Sequence, residues 1–179
     1  NVFVSDIMKQ REYEDLWVSS YSSKTRAFVK IEDGCTEFCT YCIIPYARGP
    51  VRSRPLASIE KEVKQLAQNG FKEIVLTGIH IASYGKDTKK ESLLDVIRLV
   101  SSVDGIERVR LGSVEPRILT ENFIKEIAGI KKVCNHFHIS LQSGCTETLK
   151  RMNRKYTAEE YENSVNILRK YFDNPAIAT

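Results

Sequence analysis

The sequence predicts an α/β fold: a parallel sheet clothed by helices and curled into a partial (β/α) barrel. About four complete βα units and the start of a fifth strand are expected. Three observations predict it. Short apolar, β-branched runs alternate with amphipathic helical stretches, and each strand-then-helix unit takes roughly 30 residues or more, as a right-handed parallel crossover requires. The fourth strand has one polar face, with His136, His138, Ser140 and Gln142 alternating with Phe137, Ile139 and Leu141. A strand between helices and an apolar core reads apolar throughout, so a polar face implies a lined cavity. Finally, the loops with unusual chemistry all follow strands, where ligands gather in such folds.

The elements follow in order. The mixed-charge run from Asp6 to Trp17 and the loop signal Ser19-Ser20-Tyr21-Ser22-Ser23 read as a connection covering residues 1–26. Ala27-Phe28-Val29-Lys30-Ile31 is the first strand, with Phe28, Lys30 and Glu32 on a shared face. A helix opens with Ser58 as N-cap; Lys61 three residues on excludes a capping box, while Glu60 and Glu62 suit the helix dipole. It ends at Asn69-Gly70. Glu73 to Ile79 is the second strand. A helix around Ser92–Ser102 carries Leu93, Leu94, Val96, Ile97 and Val100 on its apolar positions. Arg108 to Val114 is the third strand, followed by a helix capped by Thr120 and ending near Gly129. Phe137 to Gln142 is the fourth strand, an amphipathic helix spans about Thr157–Tyr171, and Ala176-Ile177-Ala178-Thr179 begins the fifth.

Composition permits this and excludes other classes. The chain has 179 residues, 42% hydrophobic and 28% charged, enough for one core. Its apolar runs are too short to span a membrane. The five cysteines, with no visible export signal, suggest metal chemistry in a reducing compartment, here the cytoplasm. A net charge of +4 permits an anionic partner such as RNA without demanding one.

Directly after the first strand stands Gly34-Cys35-Thr36-Glu37-Phe38-Cys39-Thr40-Tyr41-Cys42, a C-x3-C-x2-C loop. Thiolates gathered in one short loop suit a soft metal or an iron–sulfur cluster. Three are one short of the four that close a [4Fe–4S] cluster, and an open position usually marks a working site. A disulfide with a spare thiol remains open on spacing alone, as does structural zinc completed by Cys134, Cys145 or a histidine. The even C-x2-C pairs of common zinc modules are absent, however, which favours the three-cysteine iron–sulfur site.

These residues resemble the radical S-adenosylmethionine superfamily. More closely, Cys35 through Gly49 with Arg52-Ser53-Arg54, and Gln142-Ser143-Gly144 with Leu149 through Thr157, look like the methylthiotransferases. Within that family, the segments Leu76–Gly85, Gly112–Pro116 and His138–Cys145 look most like the branch acting on threonylcarbamoyladenosine at position 37 of tRNA. The sister branches act on isopentenyl-adenosine in tRNA or on a ribosomal-protein aspartate. A non-catalytic, zinc-bearing RNA-binding module is the rival from another class.

The resemblance carries expectations. Cys35, Cys39 and Cys42 would hold a [4Fe–4S] cluster whose free iron takes the amino and carboxylate groups of S-adenosylmethionine. Tyr41 would pack near the adenine, Arg154 would pair with the cofactor carboxylate, and Gln142 and Ser143 would lie near its ribose or amino-acid moiety. Ser113 and Glu115 are further cofactor contacts, and Gly78 would let the cofactor approach the backbone. Reductive cleavage would yield a 5′-deoxyadenosyl radical, after which sulfur is inserted and methylated at C2 of the adenosine. Arg48, Arg52 and Arg54 would meet the RNA backbone. An electron donor of the flavodoxin or ferredoxin kind and a sulfur source are implied partners. His80 is expected as a loop residue, His136 and His138 as barrel-lining groups, and Cys134 and Cys145 as non-ligands. The family also has an N-terminal domain with a second cluster and a C-terminal RNA-binding domain. Residues 1–26 would connect to the first, and residues 27–179 would be a core domain short of its last strands.

Overall fold

The computed structural model describes residues 6–16 and 25–179, so the expected loop at Ser19–Ser23 lies outside the described residues. The strands are β1 (Arg26–Asp33), β2 (Arg52–Ser53), β3 (Glu73–Gly78), β4 (Arg108–Leu111), β5 (Ser113–Val114), β6 (His136–Ile139) and β7 (Ala176–Ala178). The α-helices are α1 (Ile44–Arg48), α2 (Leu56–Gln68), α3 (Leu93–Ser102), α4 (Glu121–Ala128), α5 (Thr146–Arg151) and α6 (Ala158–Tyr171). The sheet runs β2-β1-β3-β4, then β5-β6-β7, parallel throughout except for the antiparallel edge strand β2. This is a mixed α/β molecule with a curled half-barrel sheet. Among the described residues no helix is long and apolar enough to cross a membrane.

Curling comes from one break. The third strand is not continuous: β4 pairs with β3, and two residues on β5 pairs with β6. Gly112 sits between them, its N–H donating to the Leu76 carbonyl at 2.8 Å. A Cβ at Gly112 would also stand 2.8 Å from that oxygen, closer than side-chain carbons come, so glycine is required where the chain turns from one half of the sheet to the other. The fourth strand ends at Ile139, shorter than expected, and Gln142 beyond it takes φ +64°, a left-handed conformation that rules out continued extension.

The outer face of the sheet is apolar and helix-covered. Ala27, Val29 and Ile31 of β1, Ile74 and Leu76 of β3, and Phe137 and Ile139 of β6 join one core. Ile59, Val63 and Leu66 of α2, Val96, Ile97 and Val100 of α3, and Ile124 and Ile127 of α4 complete it. The helical residues recur at three- and four-residue spacing, so each helix buries one stripe. The inner face is polar as its alternation implied: Phe28, Lys30, His136 and His138 are half-buried, and Glu32 is fully buried. At the N-terminal ends of the strands Glu73 collects Arg26, Arg108 and Arg110.

Side-chain caps explain the starts of α3, α4 and α6. Ser92 with Asp95 and Thr157 with Glu160 form capping boxes, and Thr120 accepts from Phe123 N–H. The helix expected to start at Ser58 instead starts at Leu56 behind Pro55, whose fixed φ suits a helix entry. The Ser58 hydroxyl is used elsewhere, donating to Asp15 at 2.6 Å and accepting from Arg54 at 3.0 Å. Residues 6–16, expected as part of a connection, pack on the body. Tyr13 Oη donates to the Lys30 carbonyl at 3.1 Å, Asp15 pairs with Arg54 at 2.8 Å, and the turn Ile7–Lys9 packs on α1.

Candidate functional site

The loop after β1 is built to bring its thiols to the barrel mouth. Gly34 N–H is capped by Asp33 at 2.8 Å, and Cys35 N–H donates to Gly49 O at 3.0 Å. The far side is pinned to the segment after α5: Thr40 N–H donates to Met152 O at 3.2 Å, and Asn153 Nδ2 to Phe38 O at 2.8 Å. So held, Cys35, Cys39 and Cys42 line one cavity of about 170 Å³ at the C-terminal ends of the strands, shared with Tyr41, Gly78, Ser113, Glu115 and Arg154. Eight of the ten residues expected at the cofactor site therefore converge. The other two, Gln142 and Ser143, line an adjoining groove. Ser113 and Ser140 belong to both spaces and join across the divide, Oγ to Oγ at 2.8 Å.

Arg154 carries the positive charge of the cavity. Its Nη1 donates to Cys39 Sγ at 3.2 Å, its Nε to Tyr156 Oη at 3.3 Å, and its guanidinium lies 5.0 Å from the Tyr156 ring centroid. Burial works against its charge, yet the bonds to Cys39 and Tyr156 keep its pKa well above the ordinary value. Burial pushes the Cys35 thiol pKa up, against a backbone hydrogen bond from Glu37 that favours the charged form.

Five wall residues were missed by sequence reasoning: Ile44, Ile79, Ser140 and two titratable groups, Glu37 and His80. Glu37, inside the cysteine motif, and His80, after β3, both line the cavity, so His80 is more than a loop residue. His80 N–H donates to Glu32, its Nδ1 bonds Ser83 Oγ at 2.6 Å, and its Nε2 is buried without a hydrogen-bond partner, 3.7 Å from Glu115. Burial lowers its pKa against the pull of Glu115 and Glu37. Glu37, His80 and Glu115 place ligand atoms within 4.8 Å of one another. Arg117 already bonds Glu115 through two nitrogens and lies 2.8 Å from Glu37, so a cation sits among these carboxylates and a metal there would compete with it. Its proximity helps hold the Glu37 pKa below the usual carboxylate value even though burial pushes the other way.

Gly78 lines the cavity, but the structure supplies a further reason for it. A Cβ there would run into the carboxylate of Glu32, which reaches across to His80 N–H. His138 lines the adjoining groove, as expected of a barrel-lining group. Cys134 and Cys145 are absent from the cavity wall.

Of the three arginines expected to meet RNA, two are buried and one is exposed. Arg54 is 1% exposed and bonded to Glu62, Asp15 and Ser58. Arg52 is 5% exposed, donates to Arg48 O at 2.8 Å and Pro50 O at 3.0 Å, and faces Asp33 at 3.4 Å. Arg48 is exposed, but its guanidinium is bonded to Asp33 through Nε at 3.0 Å and Nη2 at 2.6 Å. Arg52 and Arg54 shape the loop from inside, because desolvated guanidinium groups demand carboxylate partners.

As a donor set, three thiols in one loop with an open fourth position suit an iron–sulfur centre. The arginine at Cys39 and the unpartnered His80 Nε2 add polar groups for a bound co-ligand. The comparisons with known proteins agree. The radical SAM superfamily profile matches residues 29–179. The threonylcarbamoyladenosine tRNA methylthiotransferase of Bacillus subtilis is 44% identical over 177 residues, covering 98% of this chain and 39% of that protein. The tRNA-2-methylthio-N(6)-dimethylallyladenosine synthase of Clostridium tetani is 49% identical over 158 residues, covering 88% and 35%. The chain thus spans well under half the length of these relatives. Among solved structures, the radical S-adenosylmethionine methyltransferase TsrM of Kitasatospora setae, with tryptophan substrate and the analogue aza-SAM bound, aligns with TM-score 0.64. It is 19% identical over 82% of this chain and 28% of that one, which speaks to fold alone.

Proposed function

The chain belongs to the radical SAM superfamily, and from that premise we propose that it forms the catalytic core of a tRNA methylthiotransferase using a [4Fe–4S] cluster and S-adenosylmethionine. The observation that carries the reading is the convergence of Cys35, Cys39, Cys42 and Arg154 on one cavity. When bound, the cluster and S-adenosylmethionine supply reductive cleavage of a sulfonium and with it hydrogen abstraction from an unreactive C–H bond.

This chain's own residues have the remaining tasks. Cys35, Cys39 and Cys42 are the metal ligands. Arg154 keeps positive charge beside Cys39 and offers a fork of donors for a carboxylate. Tyr41 supplies an aromatic wall, and Ser113 and Glu115 supply polar contacts, with Gln142 and Ser143 extending them into the adjoining groove. His80 Nε2 is available to a polar group in the cavity.

The substrate we infer is threonylcarbamoyladenosine at position 37 of tRNA, acted on in the cytoplasm with a flavodoxin- or ferredoxin-like reductant and a separate sulfur source. The 44% identity to the Bacillus subtilis enzyme over 98% of this chain supports it. The higher identity to the dimethylallyladenosine synthase supports the sister substrate as a second reading. The experiment is anaerobic reconstitution of the intact protein with iron and sulfide, followed by an assay for 5′-deoxyadenosine. Nucleoside mass spectrometry is then run on tRNA bearing either modified adenosine. Cleavage that vanishes in Cys39→Ala is expected; full iron loading and cleavage in that variant would overturn the ligand assignment. Methylthiolation of the dimethylallyl substrate alone would select the sister reading.

A further inference from the structure

We propose that the exposed aromatic rim of the cysteine loop and the free cations beside α5 form one surface that grips unpaired nucleotides of the RNA substrate, an inference that rests on the tRNA reading above. The rim is unusual for a soluble surface. Ile43 is 70% exposed, Tyr46 62%, Tyr41 54% and Phe38 39%, all within one loop and the helix after it. Contiguous apolar groups left outside mark an interaction site. They are also ordered: the Phe38 and Tyr46 rings meet edge-to-face at 5.7 Å.

The cations lie alongside by construction. Thr40 binds Met152 and Arg151 through backbone and side chain, and Asn153 binds Phe38, so the rim and the 150–155 segment are one surface. Lys150, Arg151 and Lys155 are exposed. Their hydrogen-bonding acceptors are neutral: Thr148 for Arg151 at 3.3 Å and Asn153 for Lys155 at 2.5 Å. Among the described residues no ion pair involves any of the three, whereas Arg48, Arg52, Arg54, Arg117 and Arg154 all face carboxylates. Of the nearby acids, Glu160 is occupied in capping α6, and Glu147 makes no ion pair. Unneutralised cations bordering flat aromatic faces suit phosphates and bases together. A duplex hides its base faces, so the partner is a single-stranded loop. Tyr41 belongs to both the rim and the cavity wall, which puts the gripped strand at the mouth of the site.

The test uses a fluorescein-labelled RNA hairpin with adenosines in its unpaired loop, titrated with the intact protein at several salt concentrations. The triple variant Lys150→Ala, Arg151→Ala, Lys155→Ala is expected to bind at least about tenfold more weakly. Its slope of log affinity against log salt should be shallower by about 2, from ~0.7 per single-strand phosphate contact. Tyr46→Ala should lose about tenfold with the slope unchanged, and Tyr46→Phe should retain binding, since stacking needs only the ring. Unchanged affinity and slope in the triple variant overturns the proposal. So does a loopless duplex bound as tightly as the hairpin. Amide exchange at residues 41–46 as slow as in the core strands without RNA would mean that polypeptide covers the rim, and also overturns it. If the unaltered protein binds no hairpin at all, the tRNA reading itself fails; if it binds but the variants do not differ, only the surface is wrong.

Discussion

Glu62 and Arg54 offer a sharp test of how the basic run is held. Their side chains are 4% and 1% exposed and bonded to one another. Asp15, the second carboxylate on Arg54, is 44% exposed, so its field is weakened by water. In Glu62→Leu the guanidinium stays desolvated with Asp15 as its one remaining carboxylate among the described residues. Removing one member of a buried pair costs ~3–5 kcal/mol, and the residual Asp15 contact places this case near the lower end, at about 3 kcal/mol. For a chain of this size that corresponds to a fall in Tm of roughly 6–12 °C. The double variant Arg54→Met with Glu62→Leu removes both charges, and Met can still lie against the Tyr13 ring that Arg54 now faces at 5.8 Å. It should fall within about 1 kcal/mol of the parent. Urea unfolding followed by far-ultraviolet circular dichroism measures both. A single variant within about 0.5 kcal/mol of the parent would refute the reasoning, as would a double variant as unstable as the single.

Glu32 gives a pH signature. Burial pushes its carboxyl up to about 7, so the folded state binds its proton more tightly than the unfolded state does. Its contribution is fully present below the unfolded value near 4.5 and is lost as pH rises through about 7. Glu32→Gln, which keeps an acceptor for His80 N–H, should flatten Tm between about pH 5 and about pH 8; an unaltered profile would place the titration elsewhere. Gly78→Ala should destabilise by roughly 1–3 kcal/mol by driving a methyl into the Glu32 carboxylate, and denaturant midpoints that match the parent would show that the carboxylate can move aside. Cys134→Ser and Cys145→Ser should leave iron content after reconstitution unchanged, and a matching loss of iron in either would mean that it completes the coordination.

The fold was legible where local pattern and tertiary environment agree. The period-two alternation at Phe137–Leu141 marked a strand with a wet inner face because each successive side chain must point to the opposite side. The thiol spacing marked the site because few other groups require three cysteines in one loop. What stayed hidden depends on contacts distant in sequence. Ser58 looks like a cap, yet Arg54 and Asp15 claim its hydroxyl. The break at Gly112 turns on a carbonyl supplied by β3. Arg52 and Arg54 read as surface charge because a linear sequence does not show the carboxylates folded against them. His80 gave a weak signal, a lone histidine after a strand, and only the packing of Glu32, Ser83 and Glu115 around it turns it into part of a wall.

The packed segment 6–16 changes where the body of this protein begins. The family match starts at residue 29, and a cut made there would spare every α-helix of the half-barrel and every strand but β1, which would lose Arg26, Ala27 and Phe28. It would also remove Tyr13 and Asp15 from β1 and Arg54, and the Ile7–Lys9 turn from α1. Directly after α1 comes Gly49, whose carbonyl receives Cys35 N–H. The segment is therefore a brace with a short mechanical route to the first thiol: turn, α1, Gly49, Cys35. The leading segment thus braces two things at once: the strand that carries the core and the helix that leads to the carbonyl holding the first thiol.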